Sequence, residues 1–308
     1  MKETPEETPQ AAETPFRCGF VSLIGRPNVG KSTLLNRILG QKLSITADKP
    51  QTTRNRILGI YSSERMQALL LDTPGIHAAR GRLNRFMVDQ ALTACAGVEL
   101  ALYVITAQDR FGEEDERILQ LLQRNGLKVI LVINKIDRVT PEVLLPLIDS
   151  YCRSYPFSAV VPLSALKGQG VDILLDEIYA LLPLGAPLYP DDQLTDVPER
   201  FIAAELIREK VLRRVHQEVP YGVAVQVERF EERPERQLVV IQAVIYVERE
   251  AHKRILLGKG GSMIRNLGTQ ARQDIEKLLD ARVFLDLFVK VQPNWTQSDR
   301  CLRDLGYL

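Results

Sequence analysis

The stretch Gly25-Arg26-Pro27-Asn28-Val29-Gly30-Lys31-Ser32 fits the pattern GxxxxGK[ST] without a gap. It follows the apolar run GFVSLIG, read as a buried strand, and opens KSTLLNRILG, read as a helix ending at Gly40. That strand–loop–helix context is what a phosphate chain requires. Glycines let successive backbone N–H groups turn inward around phosphate oxygens, and the helix N-terminus adds a positive dipole end. Lys31 brings a charge to the terminal phosphates and the Ser32 hydroxyl offers a ligand to Mg²⁺. Thr33 follows directly and is counted with the loop.

Working outward, NRILGIY and MQALLLD read as neighbouring strands, and ELALYVITA, LKVILVIN and SAVVPLSA as three more. Helical spacing falls near residues 113–124, 141–153 and 171–181. Strands alternating with helices predict an α/β fold whose mostly parallel sheet is covered on both faces. The ends of these strands carry chemistry. Asp72 closes LLLDTPG, where a carboxylate can hold Mg²⁺ through water. Beyond Thr73 and Pro74, Gly75 can offer its backbone N–H to a γ-phosphate. Asn134, Lys135 and Asp137 end the next strand in NKID, and the Asp137 carboxylate can accept both N–H donors of a guanine edge, which adenine does not match. The backbone of Ser164, Ala165 and Leu166 in SALKG can contact the guanine O6. In DKPQTTRNRILG one threonine should complete the Mg²⁺ shell, Thr53 beside Arg54 or else Thr52. All these lie at the C-terminal ends of strands, the edge where ligands sit in open α/β folds, and they select GTP over ATP.

At 308 residues two domains are expected. Residues 1–15 repeat Glu-Thr-Pro and read as a disordered tail; 16–182 form the nucleotide domain. Leu181 to Arg200 holds four prolines, one glycine and three aspartates, so 183–199 are read as a linker. The four cysteines form no CxxC pair, which fits reduced thiols. No apolar run approaches the ~20 residues that span a bilayer, and no signal peptide is visible. The expectation is a cytoplasmic protein with peripheral contact, if any, at the inner face of the cell membrane. A net charge of +1 favours no partner class by itself.

Residues 200–308 are organised differently: a helix over RFIAAELIREKVLRRVHQ, paired strands, two helices, a strand and a final helix. This α-β-β-α-α-β order makes a smaller α+β unit. Gly258-Lys259-Gly260-Gly261 lies between the two helices. It lacks the lysine–hydroxyl pair that holds a triphosphate. A GxxG loop between helices is instead the grip of a KH module on a nucleic-acid backbone. From Arg249 to Arg265 five basic residues face one acidic residue, a cluster suited to phosphates. Lys259, Arg265 and Lys290 are the expected RNA contacts, and Trp295, the only tryptophan, either stacks on a base or anchors the terminal helix.

The set GRPNVGKS, PQTTR, DTPG, NKID and SALKG resembles the Ras-like small GTPases and, more narrowly, the Era-type branch, over about residues 17–182. The later half resembles a type II KH domain, the combination found in that family. The resemblance implies a monomeric GTPase that binds 16S ribosomal RNA near its 3′ end and acts in assembly of the small ribosomal subunit. It also implies catalytic roles for Lys31, Thr53 and Gly75. Ile76 replaces the glutamine that orients water in Ras-like enzymes, as in Era-like relatives, so intrinsic hydrolysis should be slow. Asn28 either helps hold a potassium ion near the phosphates or simply favours the turn. The rival readings are a GTP-gated RNA tether, a membrane or cell-division switch, and an RNA-modifying GTPase.

Overall fold

The computed structural model describes residues 15–49, 51–76, 82–94, 96–215 and 219–307. The Glu-Thr-Pro tail up to Thr14, Pro50 of PQTTR, Cys95 and the expected helix end at His216–Gln217 lie outside them. Of the described cysteines, Cys18, Cys152 and Cys301 are free thiols.

Long apolar runs dictate the first layer. Strand β4 (Leu100–Thr106) is buried at all seven residues and β3 (Met66–Asp72) likewise, which requires cover on both faces. With β1 (Arg17–Ile24), β2 (Ile57–Ser62), β5 (Lys128–Asn134) and β6 (Ala159–Pro162) they make a six-stranded sheet in the order β2-β3-β1-β4-β5-β6. Only the β2–β3 pair is antiparallel. Helices α1 (Lys31–Leu39), α2 (Arg82–Thr93), α3 (Glu113–Arg124), α4 (Leu144–Cys152) and α5 (Val171–Leu181) accompany it.

Two differences from the sequence reading have clear causes. The helix expected over 141–153 is split: Pro141 starts a short 3-10 turn, and α4 begins at Leu144 with Pro146 in its first turn, where a missing N–H costs little. Helix α2 was not foreseen, although Leu83, Met87 and Ala91 recur every four residues and form its buried face.

The second layer is a three-stranded sheet, β7 (Ala224–Arg233), β8 (Leu238–Val247) and β9 (Arg282–Val291), with β7–β8 antiparallel and β8–β9 parallel. Helices α6 (Glu199–Arg214), α7 (Glu250–Leu257) and α8 (Ser262–Leu279) precede and join these strands, and α9 (Asp299–Asp304) ends the described chain. No described helix is long and apolar enough to cross a membrane.

Between α5 and α6 the chain is strapped to the first sheet. Gln67, fully buried in β3, accepts from the N–H groups of Leu188 and Tyr189 and donates to the Tyr189 carbonyl. Farther on, Ile60 N–H donates to the Leu194 carbonyl, and the Thr195 hydroxyl donates to the Leu58 carbonyl. Helix α6 then enters the interior: its eleven residues from Ile202 to Leu212 are all buried. Gln67→Ala should leave two linker N–H groups unpaired and lower stability by about 2–3 kcal/mol, read as a shift of the urea midpoint at unchanged slope.

Candidate functional site

The loops at the C-terminal ends of β1, β3, β5 and β6 converge. Gly30 caps α1 at φ 102°, and a Cβ there would stand 2.3 Å from the Asn134 amide nitrogen, so glycine is required on both counts. That amide is the brace of the site. Asn134 donates to the Val29 carbonyl at 2.9 Å and accepts from the N–H groups of Lys135 and Ala165. Nearly fully buried, it ties the phosphate loop to both neighbouring loops and also lines the cavity beside Lys135 and Asp137. Lys135 reaches back to the Asn28 carbonyl at 2.6 Å. Gly75 presses against Pro27, where a Cβ would meet backbone at 2.6 Å, and Ile76 N–H donates to the Gly25 carbonyl.

The base end is a cavity of about 350 Å³ lined in part by Asn28, Lys135, Asp137 and Leu166. Asp137 accepts a hydrogen bond from Ser164 at 2.6 Å, which holds its carboxyl below the usual range and ionised. An ionised, half-exposed carboxylate is the acceptor that the two N–H donors of guanine need. The Ile76 side chain lies instead beside Ile118 and Leu121 of α3.

At the phosphate end Lys31 is buried, and its ammonium donates to the carbonyls of Gly25 and Arg26 at 3.0 and 2.9 Å. Burial pushes its pKa down to about 8, opposed by the charge of Asp72. Asp72 is fully buried, and burial raises its pKa. Its Oδ2 accepts from Ser32 at 2.6 Å and from Ser44 at 2.7 Å, while Oδ1 is buried without a partner. The Thr53 hydroxyl lies 2.8 Å from that of Ser32. Both threonines line the cavity of the phosphate loop, but the Thr52 hydroxyl donates to the carbonyls of Ala47 and Lys49, so of the two hydroxyls it is that of Thr53 that meets Ser32. Hydroxyl and carboxylate oxygens around an unpartnered buried oxygen are the hard donor set that suits Mg²⁺. Ser44 was not foreseen. It sits in no motif and is held by Asn36 of α1, whose side-chain oxygen accepts from the N–H groups of Leu43 and Ser44.

The segment from Lys42 to Arg54 joins this site to the second half. Arg54 is 1% exposed and has crossed over: it donates to the carbonyls of Val223 at 2.7 Å and Tyr221 at 3.1 Å, with its guanidinium 5.7 Å from the ring centres of both Trp295 and Tyr307. Buried Arg208 of α6 returns the contact to the carbonyls of Gln51 and Thr52. Glu209, also buried, accepts from Lys42 and from the Thr46 N–H, which keeps its carboxyl ionised despite burial.

In the second half Gly258 ends α7, and Gly261 caps α8. Lys259 is exposed, and Arg265 donates to the Gly260 carbonyl, closing the loop on itself. Lys290 is exposed but stands on the other face of the sheet. Alternate residues of β9 from Val283 to Val291 turn to the core, leaving Phe284, Phe288 and Lys290 outward. Trp295 is fully buried, stacked on Tyr307 at 5.8 Å, with its N–H donating to the Gly222 carbonyl. It has no face to offer a base, so of the two readings open in the sequence the anchor is the one the burial favours.

With this geometry in place, comparisons are specific. Residues 20–135 match the family described as 50S ribosome-binding GTPase, and residues 218–296 match the KH domain. The chain is 53% identical to GTPase Era of Geotalea uraniireducens, covering 96% of this chain and 99% of that one. It is 48% identical to GTPase Era of Ruminiclostridium cellulolyticum, over 95% and 98%. A variant of Aquifex aeolicus Era bound to GDP and AlF4⁻ superposes with a TM-score of 0.92 at 39% identity, over 95% of this chain and 99% of that one. Era in complex with MgGDPNP and nucleotides 1506–1542 of 16S ribosomal RNA gives the same score, identity and coverage.

The depressed Lys31 pKa has a directional consequence. Below about pH 8 the ammonium is already charged and meets the phosphates without proton uptake. Above it the free protein is neutral there, and binding must take up a proton. GDP affinity should therefore be flat from pH 6.5 to 7.5 and fall roughly tenfold per unit above pH 8, measured by titration calorimetry in buffers of different ionisation enthalpy.

Proposed function

The chain belongs to the Era family of GTPases, and on that footing we propose a GTP-hydrolysing switch that binds 16S ribosomal RNA near its 3′ end and assists assembly of the small ribosomal subunit. The substrate is GTP, and the products are GDP and phosphate. Hydrolysis is in-line attack of water on the γ-phosphate. Lys31 meets the terminal phosphates from the base of the loop, and the Gly75 N–H stands at the edge of the Pro27 turn to report the γ-phosphate. Ser32, Thr53 and Asp72 would hold Mg²⁺, which when bound would supply positive charge at the phosphate oxygens. Asp137 and the backbone of Ser164–Leu166 read guanine. With Ile76 turned to α3, no side chain among the described residues is assigned to orient the attacking water.

RNA binding is assigned to the Gly258–Gly261 loop with Lys259 and Arg265, where the N-terminus of α8 adds its dipole end. Lys290 is a second contact on the opposite face. Potassium beside Asn28 belongs to the same reading. Asn28 sits at φ 63° and lines the phosphate cavity, and equal turnover in NaCl and KCl would exclude it. A cytoplasmic monomer, touching the membrane only peripherally, rests on the family resemblance.

The observation that carries the switch is Arg54. It adjoins the Mg²⁺-side Thr53 and is fixed in the second half by carbonyls and two aromatic rings. Ordering Thr53 on the nucleotide therefore biases where the RNA-binding half sits. The test is RNA affinity for a 16S 3′-end oligonucleotide with GDP and with a non-hydrolysable GTP analogue. Gly261→Asp should keep nucleotide affinity and lose RNA by at least about tenfold. Arg54→Met should keep both affinities measured singly but collapse the difference between the two nucleotides. A wild-type protein with identical RNA affinity in both nucleotides would overturn the coupling.

A further inference from the structure

The nucleotide cavity has a wall that belongs to the other half of the protein. Arg213, in the last turn of α6, lines the cavity of about 350 Å³ together with Asn28, Thr33, Thr46, Lys135 and Asp137. It also lines the adjoining hollow of about 400 Å³ beside Thr33 and Leu166. Among the described lining residues of the nucleotide cavity it is the one that follows the linker in sequence. Its Nε and Nη2 donate to the Thr46 carbonyl at 3.2 and 3.1 Å, and Nη2 also meets Glu209 at 3.1 Å. These bonds hold the guanidinium at the rim, half exposed, with Nη1 making no bond among the described residues.

We propose that Arg213 is a nucleotide-contacting residue, supplied to the phosphate end of the guanine nucleotide by the RNA-binding half of the chain. The proposal rests on the reading of this cavity as a guanine-nucleotide site and deepens it. The other cations of the cavity, Lys135 and Arg138, stand with the base-reading Asp137. Arg213 is bonded to Thr46 and shares a hollow with Thr33, and these two threonines line both the base-end cavity and the cavity of the phosphate loop, so Arg213 stands where the two ends meet. A guanidinium is charged at every working pH, and its planar fork matches phosphate oxygens. Glu209 neutralises part of that charge, but Glu209 and Asp274 are shared among three cations, Lys42, Lys210 and Arg213, so the cluster keeps a net positive charge.

The arrangement makes α6 a sensor. The helix that holds Gln51 and Thr52 through Arg208 also touches the ligand through Arg213. Nucleotide affinity then depends on how α6 is seated, and by linkage any RNA that reseats α6 alters nucleotide affinity by the same factor.

The test uses full-length protein, GDP and guanosine. Arg213→Met keeps the apolar stem and removes the charge; Arg213→Lys keeps a charge without the fork. Wild type should bind GDP. Arg213→Met should bind GDP about tenfold more weakly with guanosine affinity unchanged, and Arg213→Lys should fall between. Equal weakening for GDP and guanosine in both variants would show that Arg213 only orders the Thr46 segment and would overturn the proposal, as would unchanged GDP affinity. Failure of wild type to bind GDP would instead overturn the nucleotide reading itself. Thermal unfolding of each ligand-free variant separates misfolding from lost contact, and if Arg213→Met does not fold, the GDP-to-guanosine ratio of Arg213→Lys decides.

Discussion

Helix α6 is buried on every side, and the two halves of the protein are set by that fact. An ordinary surface helix buries one stripe and keeps its charges in water. Here Glu205, Arg208, Glu209 and Lys210 are inside with the apolar residues. Buried charges are tolerable only when paired and hydrogen-bonded, and most of the partners come from the segment 42–54 of the first half. Lys42 and Thr46 meet Glu209, and Arg208 meets the Gln51 and Thr52 carbonyls. Lys42 and Lys210 also meet Asp274 on α8, the helix that opens at the second glycine loop. Polar contacts thus join the segment that leads to Thr53 with α6 and with the middle of α8.

The contacts are not equivalent. Arg208 has its own carboxylate, Glu205, on the same helix, so this pair survives if the loop lifts away. Arg54 has none. Its charge is met by carbonyl oxygens and the faces of Trp295 and Tyr307, and its Nε is unpaired. Burial correspondingly lowers its pKa. A cation held this way is stable only while the whole cage is closed, which makes the joint between Thr53 and the C-terminal module close to all-or-none. Separation would return Arg54 to water and open two stacked rings.

What was legible in the sequence was what depends on neighbours in the chain. The loop Gly25–Ser32, Asp72, Asp137 and the Gly258–Gly261 turn follow from short spacings next to apolar runs, and the α-β-β-α-α-β order of the second half matches the observed one. What was missed depends on contacts between distant segments. Ser44 reaches Asp72 only because Asn36 folds its loop back. Asn134 proves to be a brace because three loops meet at it. For Trp295 the sequence leaves base stacking and anchoring both open, because the cover that decides between them comes from Arg54, more than two hundred residues earlier, and from Tyr307. Side-chain type announces chemistry; the partner that decides its use is often far along the chain.

The strap on Gln67 carries a mechanical corollary. The chain leaving the first sheet is pinned at Leu188, Tyr189, Leu194 and Thr195, and α6 begins at Glu199. Only residues 196–198 lie between the last pin and the helix, a length of about 10 Å fully extended. A proline-rich linker of this kind is a short leash rather than a long one. Once α6 is undocked, its near end has a swing radius of only a few residues. It is therefore kept at high effective concentration beside segment 42–54, ready to redock rather than diffuse away.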